Sequence, residues 1–299
     1  MWSSLLAEIN KGDIKSLARA ISLIENEAEG YEDFLSSITS NKSVPVIGIT
    51  GPPGAGKSTL TDGLIAELVA KDKKVAVLCV DPSSPFNLGA LLGDRIRMSD
   101  WYNHPNVFIR SLATRGSLGG LHPKIIEITE LLKAASFDYI IVETVGVGQS
   151  EIEVAGLADV TVVVVVPEAG DEVQTMKAGL MEIADVFVVN KSDRPEADLF
   201  VRNLRLMLAP AFHTHHQEIA IVKTVASEKK GVDELLVAIE KYIDSANDTP
   251  RKAWLLAERA YQLIQQRRMK DVDKAFLKEK IEGFMKNGDF NLYTFSKKF

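Results

Sequence analysis

Short runs of β-branched and aliphatic residues recur along the chain, separated by longer stretches whose apolar residues follow a helical spacing. The runs Val44 to Ile49, Val75 to Val80, Val107 to Arg110, Tyr139 to Val142, Val160 to Val166, Val186 to Val189 and Ile219 to Lys223 predict strands. They are apolar almost throughout rather than alternating, as strands covered on both faces must be, and this points to a parallel sheet. Between them, Ser58 to Ala70, Leu121 to Ala134, Glu172 to Ile183, Asp198 to Leu208 and Val232 to Ile243 predict amphipathic helices. Right-handed crossovers would lay these helices on both faces. The fold class is therefore α/β, a three-layer sandwich around a mainly parallel sheet.

The pattern changes at both ends. Residues 1–42 read as a polar-faced helical N-terminal extension, 43–248 as the α/β domain, and 249–299 as a charge-rich helical C-terminal arm. Pro250 marks the second boundary, because proline is tolerated in the first turn of a new helix. Packing against the core and a protein–protein interface are equally open to these terminal segments. No internal repeat or low-complexity tract is present.

Composition narrows the function classes. With 299 residues, 46% hydrophobic and 25% charged, the chain can bury a sizeable core without metals or disulfides. The net charge of -6 offers no footprint for a polynucleotide, whose binding needs clustered Lys and Arg. Cys79 is the single cysteine, so no intrachain disulfide forms; in an apolar run it reads as a core residue, with a reactive thiol as the alternative. The N-terminus lacks the basic start and apolar stretch of a signal peptide, and Val160 to Val166 is too short to span a bilayer as a helix. A cytoplasmic protein without membrane or nucleic-acid partners is expected.

The run Gly51-Pro52-Pro53-Gly54-Ala55-Gly56-Lys57-Ser58, continuing into Thr59, matches the Walker A pattern and lies between an apolar strand and a helix, where its mechanism needs it. Glycines let backbone N–H groups turn inward around phosphate oxygens, and the helix adds its positive N-terminal end. Lys57 is placed to neutralise charge on the β and γ phosphates, and Ser58 to ligate Mg2+. A hard cation also needs carboxylates at the ends of neighbouring strands. Asp81 and Glu143 stand at such ends, the second in Glu143-Thr144-Val145-Gly146. Many GTPases carry Asp where Glu143 stands, and the longer side chain can act through a bound water. Gly146 has no Cβ to block its N–H from the γ phosphate. Asp94 is a further acidic candidate whose spacing alone better describes a solvated charge or a helix cap.

Hydrolysis also requires a group that orients the attacking water. Val147 occupies the position where Ras-like GTPases carry Gln, so slow intrinsic turnover accelerated by a partner is expected. The base is specified further along. Asn190-Lys191-Ser192-Asp193 follows the strand Val186 to Val189, giving the Asn-Lys-x-Asp arrangement. The Asp193 carboxylate can accept hydrogen bonds from guanine N1–H and the 2-amino group, which adenine does not offer, and an unmade bond in a dry site is costly. Asn190 supports the loop, the Lys191 stem packs along the ring, and Thr224-Val225-Ala226-Ser227 can supply a backbone N–H to guanine O6, through Val225 or Ala226.

Together with these motifs, Asp81-Pro82-Ser83-Ser84-Pro85, Leu92-Gly93-Asp94-Arg95-Ile96-Arg97-Met98, Arg115-Gly116-Ser117-Leu118-Gly119-Gly120 and Glu143-Thr144-Val145-Gly146-Val147-Gly148-Gln149-Ser150-Glu151 resemble the MeaB/ArgK/MMAA family of P-loop GTPases, over about residues 44 to 240. The resemblance implies a GTPase chaperone that gates cobalamin loading and protects an adenosylcobalamin-dependent acyl-CoA mutase of the methylmalonyl-CoA mutase type. It implies that Asp81, Asp94 and Glu143 form a magnesium and switch network, and that Lys177 contacts the γ phosphate on activation; without it Lys177 reads as an exposed helix lysine. A homodimer built through the C-terminal arm is also implied. The chain departs from the family at Phe86-Asn87-Leu88-Gly89, where small residues are more usual.

Two other classes compete. A nickel metallochaperone GTPase would need a metal cluster, for which only His213, His215 and His216 are on offer, and these also read as surface loop residues. A transport-associated kinase would need an acceptor site beside the γ phosphate, and no separate motif for one is present.

Overall fold

All seven apolar runs become strands of one parallel sheet in the computed structural model, which describes residues 1–38, 43–81, 98–114, 121–144, 150–167, 178–208, 219–245, 250–269, 272, 274–286 and 290–298. In chain order they are β1 (Val46–Thr50), β2 (Val75–Asp81), β3 (Val107–Ala113), β4 (Tyr139–Glu143), β5 (Val160–Val165), β6 (Val186–Val189) and β7 (Ala220–Lys223). The sheet order is β3-β2-β4-β1-β5-β6-β7. Register brings Ile49 opposite Glu143 on one side of β1, and Thr50 opposite Val163 on the other. Strand β3 runs three residues beyond the Arg110 end expected from its apolar run, because Ser111, Leu112 and Ala113 keep pairing with Cys79, Val80 and Asp81.

Helices α1 (Trp2–Asn10), α2 (Ile14–Glu25), α3 (Tyr31–Ser37), α4 (Lys57–Ala70), α5 (Ile125–Ala134), α6 (Ser150–Leu157), α7 (Ala178–Ile183), α8 (Ala197–Leu208) and α9 (Val232–Ser245) cover the sheet. Alternate residues of each strand enter different cores. Ile47, Ile49, Val77, Cys79 and Val162 pack with Leu60, Leu64 and Leu68 of α4 and with Leu235 and Ile239 of α9. On the opposite face, Ala76, Leu78, Ile140 and Val142 pack with α5, while Val163, Val165, Phe187 and Val189 pack with α7 and α8. Cys79 is a buried core residue.

The N-terminal helices belong to this packing. Leu5, Ile9, Leu17, Ala20, Ile21, Ile24 and Phe34 share a core with Val46, Leu78, Phe108 and Leu112. The Asp13 carboxylate starts α2 by accepting from the Ser16 N–H at 2.8 Å, and Glu25 at its end pairs with Arg110 of β3. Compactness divides the chain into Met1–Asn247 and Asp248–Phe299. The apolar face of the β2–β3 side of the sheet must be covered, and α1–α3 cover it.

The second unit holds α10 (Pro250–Arg268), α11 (Lys274–Lys286) and α12 (Leu292–Ser296). Its small core gathers Phe284 and Phe290 around buried Phe295, while Trp254, Tyr261 and Tyr293 are exposed. Among the described residues no helix is long and apolar enough to cross a membrane.

Candidate nucleotide and cation site

Strand β1 lies between β4 and β5; the chain passes from β1 to β2 on one side and later from β4 to β5 on the other, and at such a switch point an open parallel sheet forms a crevice at its carboxyl edge. The loop from Gly51 to Gly56 emerges there. Gly51 has φ 138°, and a Cβ on it would stand 2.1 Å from the Val164 carbonyl oxygen of β5. Gly56 has φ 90°, and its Cβ would stand 2.3 Å from Asn190 Nδ2. Any other residue at either place would push the loop off its neighbours. Within the loop, the Ala55 N–H donates to the Pro52 carbonyl at 3.3 Å, while Pro52 is half-buried and Pro53 and Gly54 are exposed. Gly56 brings no side-chain cap to α4, so the first-turn N–H groups and the positive end of a 14-residue helix face the loop.

Buried Lys57 folds back over this loop, its Nζ donating to the carbonyl oxygens of Gly51 at 2.8 Å and Pro52 at 3.0 Å. Ser58 and half-buried Thr59 follow on α4. The Ser58 hydroxyl donates to Glu143 Oε1 at 2.6 Å, and Thr61 Oγ1 stands 2.9 Å from Glu143 Oε2. Glu143 is only 3% exposed, so the end of β4 carries a buried carboxylate held at both oxygens by hydroxyls of one helix. The following residue, Thr144, ties β4 to β1 through Thr50 Oγ1 at 3.0 Å and through its N–H to the Ile49 carbonyl at 3.0 Å.

These donors are all oxygens, a hydroxyl and a carboxylate beside a phosphate cradle, and such a set fits Mg2+. Ser58 and Glu143 would hold it. Asp81 ends β2 opposite Ala113, with its side chain outside the described residues. Asp94, Gly146 and Lys177 also lie outside them, as do His213, His215 and His216. Among the described residues no group of three His, Cys, Asp or Glu side chains is arranged to hold a metal.

The base end is organised around Asn190. Its Nδ2 donates to the Ala55 carbonyl at 2.8 Å, while Oδ1 accepts from Thr224 Oγ1 at 3.1 Å and from the Ala226 N–H at 3.0 Å. One buried amide thus ties the phosphate loop, the end of β6 and the turn after β7. Lys191 adopts a left-handed φ of 56°, and the Ser192 N–H donates to the Thr224 carbonyl at 3.0 Å, which turns the motif outward and leaves Asp193 exposed. The Val225 N–H donates to the Lys230 carbonyl and that of Ala226 to Asn190, so both expected base donors bond within the protein and brace the loop.

Sequence reasoning did not single out Thr61. The signal was present, because residues three and four places after Ser58 and Lys57 lie on the same helix face.

Similarity to known proteins agrees with this geometry. The family described as methylmalonyl Co-A mutase-associated GTPase MeaB matches residues 17–280. A protein of Pyrococcus abyssi is 43% identical over 296 residues, spanning 97% of this chain and 89% of the relative. A fused isobutyryl-CoA mutase of Geobacillus kaustophilus is 36% identical over 265 residues, which cover 83% of this chain and 24% of that protein. Among solved structures, one described as LAO/AO transport system kinase superposes with a TM-score of 0.67 at 26% identity, covering 99% of this chain and 95% of that one. A phosphate cradle, a buried acidic strand end and a guanine motif in one crevice, with a match over most of the chain, place this protein in the MeaB family of P-loop GTPases.

Proposed function

We propose that this GTPase is the regulatory partner of an adenosylcobalamin-dependent acyl-CoA mutase of the methylmalonyl-CoA mutase type, gating cofactor loading and protecting the mutase from inactivation. The observation that carries the reading is the relative in which a segment similar to 83% of this chain forms 24% of a protein named as a mutase. A sequence of this kind joined to a mutase in one polypeptide supports a functional pairing where the two are separate.

Within the site, Lys57 and the N-terminal end of α4 bind the phosphates of GTP, and Asp193 selects guanine. Bound Mg2+ neutralises charge on the β and γ phosphates. Ser58, Glu143, Asp81 and Asp94 serve that ion, and Gly146 and Lys177 respond to the γ phosphate. Two copies pair through the arm 249–299, a reading supported by the exposed Trp254, Tyr261 and Tyr293. The protein acts in the cytoplasm.

The decisive experiment measures GTP hydrolysis by the full chain with and without a cognate mutase. Hydrolysis rises on addition, and Lys177→Ala reduces that rise more than it reduces GTP binding. No response to any such mutase would sink the proposal. Transfer of the radiolabelled γ phosphate to a protein rather than to water would instead favour a kinase, the activity for which the similar solved structure is named.

A further inference from the structure

The hydroxyl of Thr61 has no part in phosphate or base recognition, yet it is fully buried at the centre of the site. From one turn further along α4 than Ser58, it reaches the oxygen of Glu143 that Ser58 does not. We infer that Thr61 is a positioning residue for the cation, holding Glu143 Oε2 so that the carboxylate keeps one orientation toward Ser58 and the phosphate cradle. The inference rests on the Mg2+ reading above.

The bland alternative is that Thr61 simply bonds back to its own helix. Helical threonines commonly do so, and Thr61 Oγ1 is also 2.9 Å from the Lys57 carbonyl oxygen. Its hydroxyl has one proton, however, and the two acceptors are unequal. A carboxylate draws a hydrogen bond about twice as strong as a neutral carbonyl does. Burial widens the difference, because an ionised carboxylate out of water depends on every donor it has.

The geometry also explains why a glutamate needs this help. Glutamate has one more rotatable bond than the aspartate usual at this place, so a single contact leaves its carboxylate free to turn. Ser58 alone is a poor anchor, since the same hydroxyl must offer a lone pair to the ion while its proton goes to Oε1. A second hydroxyl on the same helix face fixes the carboxylate plane independently of Ser58.

The test uses the full chain loaded with a fluorescent GDP analogue and follows nucleotide release across a Mg2+ titration, with release in EDTA and thermal melting in EDTA as controls. Wild type should show release slowed by Mg2+; if it does not, the cation reading itself fails and the failure is seen before any variant is made. Given a wild-type response, Thr61→Val should raise the Mg2+ concentration for half-maximal slowing by about tenfold, as loss of a hydrogen bond to a charged group implies. Release in EDTA should stay within about twofold of wild type, since within the phosphate loop the Thr61 hydroxyl meets only the Lys57 main-chain carbonyl, which is no phosphate donor. Thr61→Ser keeps the hydroxyl and should restore the wild-type requirement. If Thr61→Val does not fold, Thr61→Ala is read in the same titration, and Thr61→Ser stands as an independent arm. A wild-type Mg2+ requirement in the variant without the hydroxyl overturns the inference. So does a raised requirement in Thr61→Ser, or equal acceleration of release with and without Mg2+.

Discussion

The phosphate end and the base end of the site are built on opposite plans. At the phosphate end the groups proposed to hold phosphate and cation are themselves the buried ones: Lys57 and Ser58 are each 6% exposed and Glu143 3%, Lys57 bonding to the loop and Ser58 to Glu143. At the base end the buried group is Asn190, whose side chain makes three hydrogen bonds to neighbouring loops, while Asp193, the residue proposed to read guanine, is exposed. Preorganisation therefore resides in the functional groups at one end and in the scaffold at the other. Substitutions should respect that division.

The largest effect is expected where a buried functional group is removed. Lys57→Ala takes away the ammonium that folds over the cradle, and GTP affinity measured by calorimetry should fall by about a thousandfold, the equivalent of two hydrogen bonds to charged partners. The fold should survive, because the carbonyls of Gly51 and Pro52 remain within reach of water in the opened loop. A fall of less than about tenfold would mean that the lysine is not the phosphate ligand.

At the base end the reader should be separable from the scaffold. Asp193→Asn should weaken GTP by about a hundredfold and strengthen xanthosine triphosphate, whose ring carbonyl accepts from the new amide where guanine offered an amine. Thermal stability should not change, since Asp193 is exposed. Asn190→Ala is the converse. It breaks the link between the Ala55 carbonyl, Thr224 and Ala226, and should lower unfolding stability by about 2 kcal/mol in a urea titration, with GTP affinity falling as a consequence. If Asn190→Ala left stability intact while abolishing binding, the distinction drawn between the two residues would be wrong.

The same division explains what could be read without a structure. Continuous apolar runs mark strands of a covered parallel sheet, so all seven were visible although the edge strand β7 is only partly buried, and the cradle and guanine motif were legible because each follows such a run. The magnesium role of Glu143 was argued from its place at a strand end, but its partner Thr61 was missed. A threonine inside a helix looks like a mildly unfavourable residue until the opposing strand is in place. Likewise, Leu17, Ala20, Ile21 and Ile24 give α2 a visible apolar stripe. Only the sheet shows that this stripe covers β2 and β3, making an apparent extension part of the main unit. Helix α6 was hidden by its brevity and by Gly156 near its end, and the internal acceptors of the Val225 and Ala226 N–H groups were not visible because one is a local turn closed by Lys230 and the other, Asn190, is remote in sequence.

The smallest expected effect comes from the neighbour of Thr61. Asp62 sits one residue further along α4, about 100° around the helix, and its carboxylate accepts from Trp101 Nε1 at 2.6 Å. That bond ties α4 to the 3-10 turn Ser99–Trp101 and is directed away from Glu143. Asp62→Ala should therefore cost about 1 kcal/mol of stability, the ordinary worth of one partly buried hydrogen bond, while GTP affinity and the Mg2+ requirement for slow nucleotide release stay at wild-type values. The pair of substitutions isolates direction from proximity. Two adjacent side chains on one helix each make one hydrogen bond to another element, and the elements they hold are different. If Asp62→Ala shifted the Mg2+ requirement as far as Thr61→Val, the cation site would depend on the placement of α4 as a whole, and the particular grip of its hydroxyls on Glu143 would carry no special weight.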